Sequence, residues 1–345
     1  MSIRPGAARI MAAAAGTVGS TAMETRGSRR SLLLPVAVLL VLAALAGVLT
    51  LAARGRAERP RVAQSTPSGP VPVDLAARVD EYTAGFTADG PYTAPDAAQR
   101  RAVAEGVLGA LDGQSEQAGR ALARAGYRLT EFTEAATGRR VAEIAEIADD
   151  PGTGSRGWGR VYLDLSARPY WSVQVPHPVS DARTEALGVD MFRAAPGGVL
   201  VLAGAHRRAG ADGSSDVAHR SDTVFAAVVE ALTGRGLPGI QVHGFDEGSL
   251  PGQDAVVSSG AGQAGPAAEL TAAGLARAGY AVCRAWREKC GQLGGTTNVE
   301  GRFAAGAGVP WLHVELGNGL RTEPARRAVV AGVLAETARS WGAKP

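Results

Sequence analysis

Five histidines lie between residues 177 and 313 of this 345-residue chain, most of them at or near the ends of segments that read as β-strands. His177 follows WSVQV (171–175), His206 follows GVLVLAG (198–204), His243 sits in GIQVHGF (239–245) and His313 in WLHVEL (311–316). His219 stands early in a predicted helix. Imidazoles serve as metal ligands and as proton carriers near neutral pH. In open α/β sheets, ligands bind at the carboxyl ends of strands. Chance would scatter five histidines over the whole chain, so their joint placement points to a site.

The first cluster is His177-Pro-Val-Ser-Asp181-Ala-Arg-Thr-Glu185. A strand delivers His177, a short turn follows, and Asp181 stands near a helix start, with Glu185 one helical turn later on the same face. One imidazole and one carboxylate from this corner, with His243 from a neighbouring strand, make a ligand set for a divalent metal with a position left for water. Asp181 reads equally well as a helix N-cap. Glu185 is the alternative acidic ligand, or else an exposed helix residue paired with Arg183.

The second cluster joins Asn298, Glu300 and Arg302 to His313, Glu315 and Arg321. Alternation along a strand puts Trp311, His313 and Glu315 on one face. A charged pair inside an apolar strand is costly unless it is used or paired. Glu315 there has the chemistry of a general base towards a metal-bound water. Arg302 and Arg321 are candidates to hold a substrate carboxylate through paired N–H bonds. Between the clusters, His206, Arg207, Asp216 and His219 gather past a strand end and are expected to line the site. Asp216 also reads as an N-cap.

These residues need a scaffold, and its pattern is visible. After residue 158, short apolar runs alternate with amphipathic stretches at 181–194, 216–233, 267–278 and 324–340. Such alternation predicts an α/β fold, with a mixed sheet flanked by helices. Further strands are expected at 161–165, 255–259 and 280–283. Residues 74–158 read as two helical stretches and a hairpin over 127–147 turning at TGRR. Hydrophobic residues make up 46% of the chain, ample for a core.

Ser31 to Ala53 is a 23-residue run without a charge. At ~1.5 Å rise per residue it spans a ~30 Å hydrocarbon core. It is expected to be a transmembrane or signal-anchor helix, preceded by a cytoplasmic tail (1–30) and followed by a linker (54–73). Arginines flank it on both sides, so charge alone barely orients it. The short polar tail, and a likeness of Ser28-Arg29-Arg30-Ser31-Leu32-Leu33 to twin-arginine signals, favour a cell-membrane, single-pass protein with its soluble part extracytoplasmic. Cleavage at Ala44-Leu45-Ala46, giving a secreted protein, is the alternative.

The net charge of +3 is misleading, because residues up to Arg61 hold nine basic and two acidic side chains. The remainder holds 27 basic and 31 acidic residues, net −4, which argues against a nucleic-acid partner. Cys283 and Cys290 are the only cysteines. In an exported domain they read as a disulfide, since their spacing is not a usual zinc spacing.

The order VPHPVSDARTE, LVLAGAHRR, DVAH, QVHGFD, TTNVEGR and LHVEL resembles the phage-type poly-γ-glutamate hydrolases, relatives of the zinc carboxypeptidase fold. The resemblance covers about residues 159–340 and leaves 74–158 without a counterpart. It implies an α/β zinc-hydrolase-like domain over 159–342 and a Zn(2+)-dependent amidohydrolase or peptidase acting on a peptide or poly-acidic amide substrate. On that resemblance His177 matches the first zinc ligand, Asp181 the acidic ligand, His243 the last ligand and Glu315 the catalytic glutamate. Asn298 and Arg302 match substrate contacts, and His206, Arg207, His219 and His313 are expected beside them. One departure stands out. Carboxypeptidases place a glutamate three residues after the first histidine, where this chain has Ser180. That altered spacing is the ground for an alternative, a non-catalytic binding or scaffolding protein that retains the hydrolase fold.

Overall fold

The computed structural model describes residues 71–147 and 155–342. The expected tail, the membrane segment 31–53 and nearly all of the linker lie outside the described residues. Among the described residues, no helix is long and apolar enough to cross a membrane.

Three helices open the described chain: α1 (Leu75–Thr83), α2 (Ala97–Leu111) and α3 (Ser115–Arg124). A capping box, Asp96 with Gln99, starts α2. The hairpin follows as β1 (Tyr127–Thr133) and β2 (Arg140–Glu146), then β3 (Arg160–Asp164) and β4 (Trp171–Val175). Helix α4 (Thr184–Ala194) leads to β5 (Gly198–Leu202), and α5 (Val224–Gly234) to β6 (Gly239–Gly244). The remaining elements are β7 (Ala255–Ser258), α6 (Pro266–Arg277), β8 (Val282–Arg284) and α7 (Val299–Ala307). The chain closes with β9 (Trp311–Leu316), α8 (Asn318–Thr322) and α9 (Pro324–Gly342).

The nine strands form one mixed sheet in the order β1-β2-β3-β5-β4-β6-β9-β7-β8. At its centre β5, β4, β6 and β9 run parallel. From β4 the chain passes through α4 to β5 on one side, then through α5 to β6 on the other. The side chains of α4 pack on one face of the sheet and those of α5 on the opposite face. The connections therefore diverge between β4 and β6, which opens a crevice at their carboxyl ends.

The two faces differ in chemistry. On one, Val173, Val175, Ile240, Val242, Val314 and Leu316 belong to a continuous apolar core with side chains of α4, α6 and α9. The other face is apolar only under the first strands, where Ile144, Val161, Leu163, Val199 and Val201 meet α2, α3 and α5. From β4 onward it turns polar. The register aligns Ser172 and Gln174 of β4 with Val199 and Val201 of β5. It then aligns Gln174 with Gln241, Gln241 with His313, and His243 with Glu315. All of these polar residues are buried. A buried aliphatic side chain is worth about 1.5–3 kcal/mol, so stability alone would favour an apolar face here.

One predicted helix is broken. The stretch expected at 216–233 is a 3₁₀ turn, Val217–His219, followed by α5 from Val224. Thr223, not Asp216, caps α5, accepting from the Ala226 N–H at 3.1 Å. The Asp216 side chain makes no cap hydrogen bond because it is engaged elsewhere.

Candidate metal centre

His177 follows the end of β4 and is 1% exposed. The chain then doubles back, with the Asp181 N–H donating to the His177 carbonyl at 2.9 Å. Val179 and Arg183 take left-handed backbone angles, φ 65° and 68°. That conformation is strained for a β-branched residue such as Val179, costing about 1–3 kcal/mol. Glu185 supports the turn by accepting the Val179 N–H at 3.1 Å. The expectation that Asp181 and Glu185 share one helix face is therefore corrected. Helix α4 begins only at Thr184, after the left-handed Arg183. Asp181 lies in the turn, and buried Glu185 is turned towards the backbone of that turn.

This turn brings Asp181 to both imidazoles. Asp181 Oδ2 lies 3.3 Å from His177 Nδ1 and 3.5 Å from His243 Nδ1. Atoms of His177, Asp181 and His243 suited to ligation all lie within 4.8 Å of one another. Ligand atoms of a tetrahedral zinc with bonds of about 2.0–2.1 Å stand about 3.3–3.4 Å apart. The two Asp181–imidazole spacings match such an ion, and the donor set of two imidazoles and one carboxylate suits it. The far nitrogen of each ring is anchored: His177 Nε2 lies 2.8 Å from Asp216 Oδ1, and His243 Nε2 lies 2.8 Å from Gln241 Oε1. Anchoring of this kind turns the other nitrogen towards a metal and fixes the tautomer. Arg207 in turn holds Asp216, its guanidinium donating to Oδ2 at 2.8 Å.

The charges agree with a cation site. Burial pushes His177 down, but Asp181 and Asp216 more than offset this and hold it above the ordinary imidazole value. Burial pushes Asp181 up, but the two histidines hold it well below the usual carboxylate range. Burial and the neighbouring His313 push His243 down to about 4, so it is neutral at pH 7. Positive charge is favoured between the two carboxylates, whether as a proton on His177 or as a metal that displaces it.

Strand β9 adds His313 and Glu315. Glu315 lies beside His243 in the parallel ladder, about 4.8 Å away across the strands. The His243 and His313 rings have centroids 4.4 Å apart. His313 Nε2 lies 3.2 Å from Glu315 Oε1, while Glu315 Oε2 and His313 Nδ1 are buried without a hydrogen-bond partner among the described residues. Burial raises the Glu315 carboxyl, but His313 and His243 outweigh it and keep it below its ordinary value. Gly295, at φ 61°, lies against the His313 ring, so closely that a β-carbon there would come within 2.5 Å of it.

The other expected site residues are placed differently. Asn298 has both ends engaged inside the protein: Oδ1 accepts from Glu300 N–H at 3.0 Å and caps α7, and Nδ2 donates to Gln241. Arg321 is buried, and its guanidinium donates to the backbone carbonyls of Leu316, Ala182 and Phe245. It ties three loops of the site together and is not free to clamp a substrate. A β-carbon on Gly244 would fall 2.2 Å from its Cζ, so Gly244 makes the approach possible. Arg302 is exposed on α7. His219 is exposed, 3.2 Å from Asp216 Oδ1. His206 is half-buried and borders a cavity of about 290 Å³ with Tyr82, Phe86 and Arg160. A larger cavity, about 650 Å³, is lined by Pro266, Ala304, Trp311 and Trp341 and includes none of the three candidate ligands. Cys283 and Cys290 are joined in a disulfide.

Sequence reasoning missed Gln241 and the partnership of Asp216 with His177. The signal for Gln241 was its position two residues before His243 on an apolar strand, which puts both on one face. For Asp216 there was no such signal, because 39 residues separate it from His177. Asp216→Asn is expected to weaken metal binding at this site about 10–100-fold, the usual loss when an anchoring carboxylate is removed. Competition titration with a chromogenic chelator measures it, and unchanged affinity would show that Asp216 does not support the site.

No family model matches the sequence, and no curated protein is significantly similar to it. Among solved structures, the fold is similar to a bacteriophage poly-γ-glutamate hydrolase over 51% of this chain and 86% of that one, at 14% identity and a TM-score of 0.36. It is similar to the Atu2144 gene product of Agrobacterium tumefaciens over 50% and 88%, at 13% identity and 0.36. It is similar to the LapA aminopeptidase of Legionella pneumophila over 81% and 79%, at 10% identity and 0.33. All three scores are low, and likeness at this level carries no activity from one protein to another.

Proposed function

We propose that this protein is a zinc-dependent hydrolase of amide or peptide bonds, with His177, Asp181 and His243 as the metal ligands and Glu315 as the general base. The observation that carries the reading is the spacing of the three ligand atoms, together with the anchoring of both far imidazole nitrogens. A zinc ion in this place supplies Lewis acidity and lowers the pKa of water. Glu315 Oε2, ionised and without a hydrogen-bond partner among the described residues, receives the proton of the attacking water and returns it to the leaving amine. His313 holds Oε1 of the same carboxylate and so leaves Oε2 free for the water. The altered spacing after His177 argues for a non-catalytic protein only if the acid misses the site, and Asp181 reaches both imidazoles.

The proposed substrate class is a peptide or poly-acidic amide, following the sequence resemblance over 159–340. The protein is proposed to act outside the cytoplasm, anchored through residues 31–53. The Cys283–Cys290 disulfide supports an oxidising compartment. Hydrolysis of amide substrates by the purified chain is expected to stop when zinc is removed by chelation and to return on adding zinc. Activity indifferent to the chelator would overturn the metal mechanism.

A further inference from the structure

Beneath the His-Asp-His group lies a buried polar layer that the proposed reaction does not use. Glu300 is 0% exposed, in the first turn of α7. Its Oε2 accepts from Gln241 Nε2 at 3.3 Å, and its Oε1 has no hydrogen-bond partner among the described residues. Gln241 Nε2 also donates to Gln174 Oε1 at 3.3 Å. The other end of the same amide, Gln241 Oε1, faces His243 Nε2 and the Asn298 amide.

The polarity of this layer is determined from several sides. The first N–H groups of α7 occupy Asn298 Oδ1, so Asn298 must present its NH₂ to Gln241. Gln174 Oε1 also accepts from Trp311 Nε1 at 3.0 Å, and its NH₂ donates to Ser172 Oγ at 3.1 Å, so it too offers Gln241 only an oxygen. Flipping the Gln241 amide would set its NH₂ against the Asn298 NH₂ and its oxygen against the Gln174 oxygen. With Gln241 Oε1 towards the ring, His243 carries its proton on Nε2 and leaves the Nδ1 lone pair for a metal.

We infer that Glu300 is a positioning residue for the metal centre, acting on His243 through the orientation of the Gln241 amide. The inference rests on the metal reading above. A buried acid is a costly way to fill a helix–sheet contact, since an aliphatic side chain there would bury the same area without desolvating a carboxyl. Burial pushes Glu300 up to about 8, so at pH 7 it is neutral. It thus gives Gln241 an acceptor without adding net charge below the ligands.

The test compares Glu300→Gln with Glu300→Leu in the purified full-length chain. Zinc affinity is read by competition titration and ligand geometry by the absorption of bound Co(2+). Glu300→Gln keeps an acceptor oxygen and is expected to bind zinc within about 3-fold of the unmodified chain. Glu300→Leu removes the acceptor and is expected to bind roughly 5- to 20-fold more weakly, less than the 10–100-fold of a direct ligand partner. Its metal-free melting temperature is expected to be unchanged or higher, which a merely structural role would not produce. Gln241→Leu is expected to weaken binding at least as much, and adding Glu300→Leu to it to cause no further loss. Equal affinities in all variants, independent losses that multiply, or equal losses in both Glu300 variants alongside a lower melting temperature would each overturn the inference. An unmodified chain that binds no zinc would overturn the metal reading itself, and this inference with it.

Discussion

His177→Ala and His243→Ala are both expected to empty the metal centre, yet to differ sharply in metal-free stability. Each removes one of three ligands, so the loss of affinity should exceed the 10–100-fold attached to an anchoring residue. Metal content of the purified variants, measured by elemental analysis, is expected to fall from one zinc per chain to well below it. Stoichiometric zinc in either variant would remove that histidine from the ligand set.

The difference in stability follows from charge. His177 sits between Asp181 and Asp216, whose carboxyls are both held low. Removing it leaves buried Asp181 without its cation, while Asp216 keeps Arg207. Breaking a buried pair from one side costs about 3–5 kcal/mol, and the partial exposure of Asp216 puts this case near the lower end. His243 is neutral, so its removal leaves a cavity but no uncompensated charge beyond what His177 already balances. Thermal unfolding in chelator should therefore show His177→Ala melting well below His243→Ala. The pH dependence has a definite sign. The folded pKa of His177 is raised, so in metal-free protein its contribution is fully present below about pH 6.5 and is lost as pH rises through the folded value. His177→Ala should lack that loss, and identical pH–stability curves for the two proteins would contradict the charge assignment.

Glu315→Gln is expected to lower kcat about 10²–10⁴-fold, the usual worth of a positioned general base. Zinc content should be unchanged, because Glu315 is outside the ligand group. The change is nearly isosteric, and Gln can still accept from His313, so folding should be retained. KM should move little, since the carboxylate is assigned a role in proton transfer and not in holding substrate. Full activity with zinc bound would transfer the base role away from Glu315. Loss of zinc would instead make Glu315 a ligand.

Some of this site was legible in the residues because a strand's side chains alternate strictly. His243, His313 and Glu315 interrupt apolar strands, and period-two geometry assigns His313 and Glu315 to one face without reference to anything distant. Helix pattern was legible where apolar periodicity was long, as in 324–340, but not for α7 and α8, which are too short to show it. The helix expected over 216–233 forms only from Val224, after a 3₁₀ turn at Val217–His219 beside which Asp216 meets His177.

By itself, then, the sequence determined the sheet-and-helix alternation, the apolar run at 31–53, the concentration of histidines at strand ends and the pairing of His313 with Glu315. Local sterics and hydrophobic periodicity suffice for those. Only the tertiary structure decided that Asp181 folds back through a left-handed turn while Glu185 supports that turn. Only it showed Arg321 spent on backbone carbonyls, and Gln241 joining His243 to Glu300. Those roles depend on which strands become neighbours and on which donors are already taken, and neither is a property of any one stretch of chain.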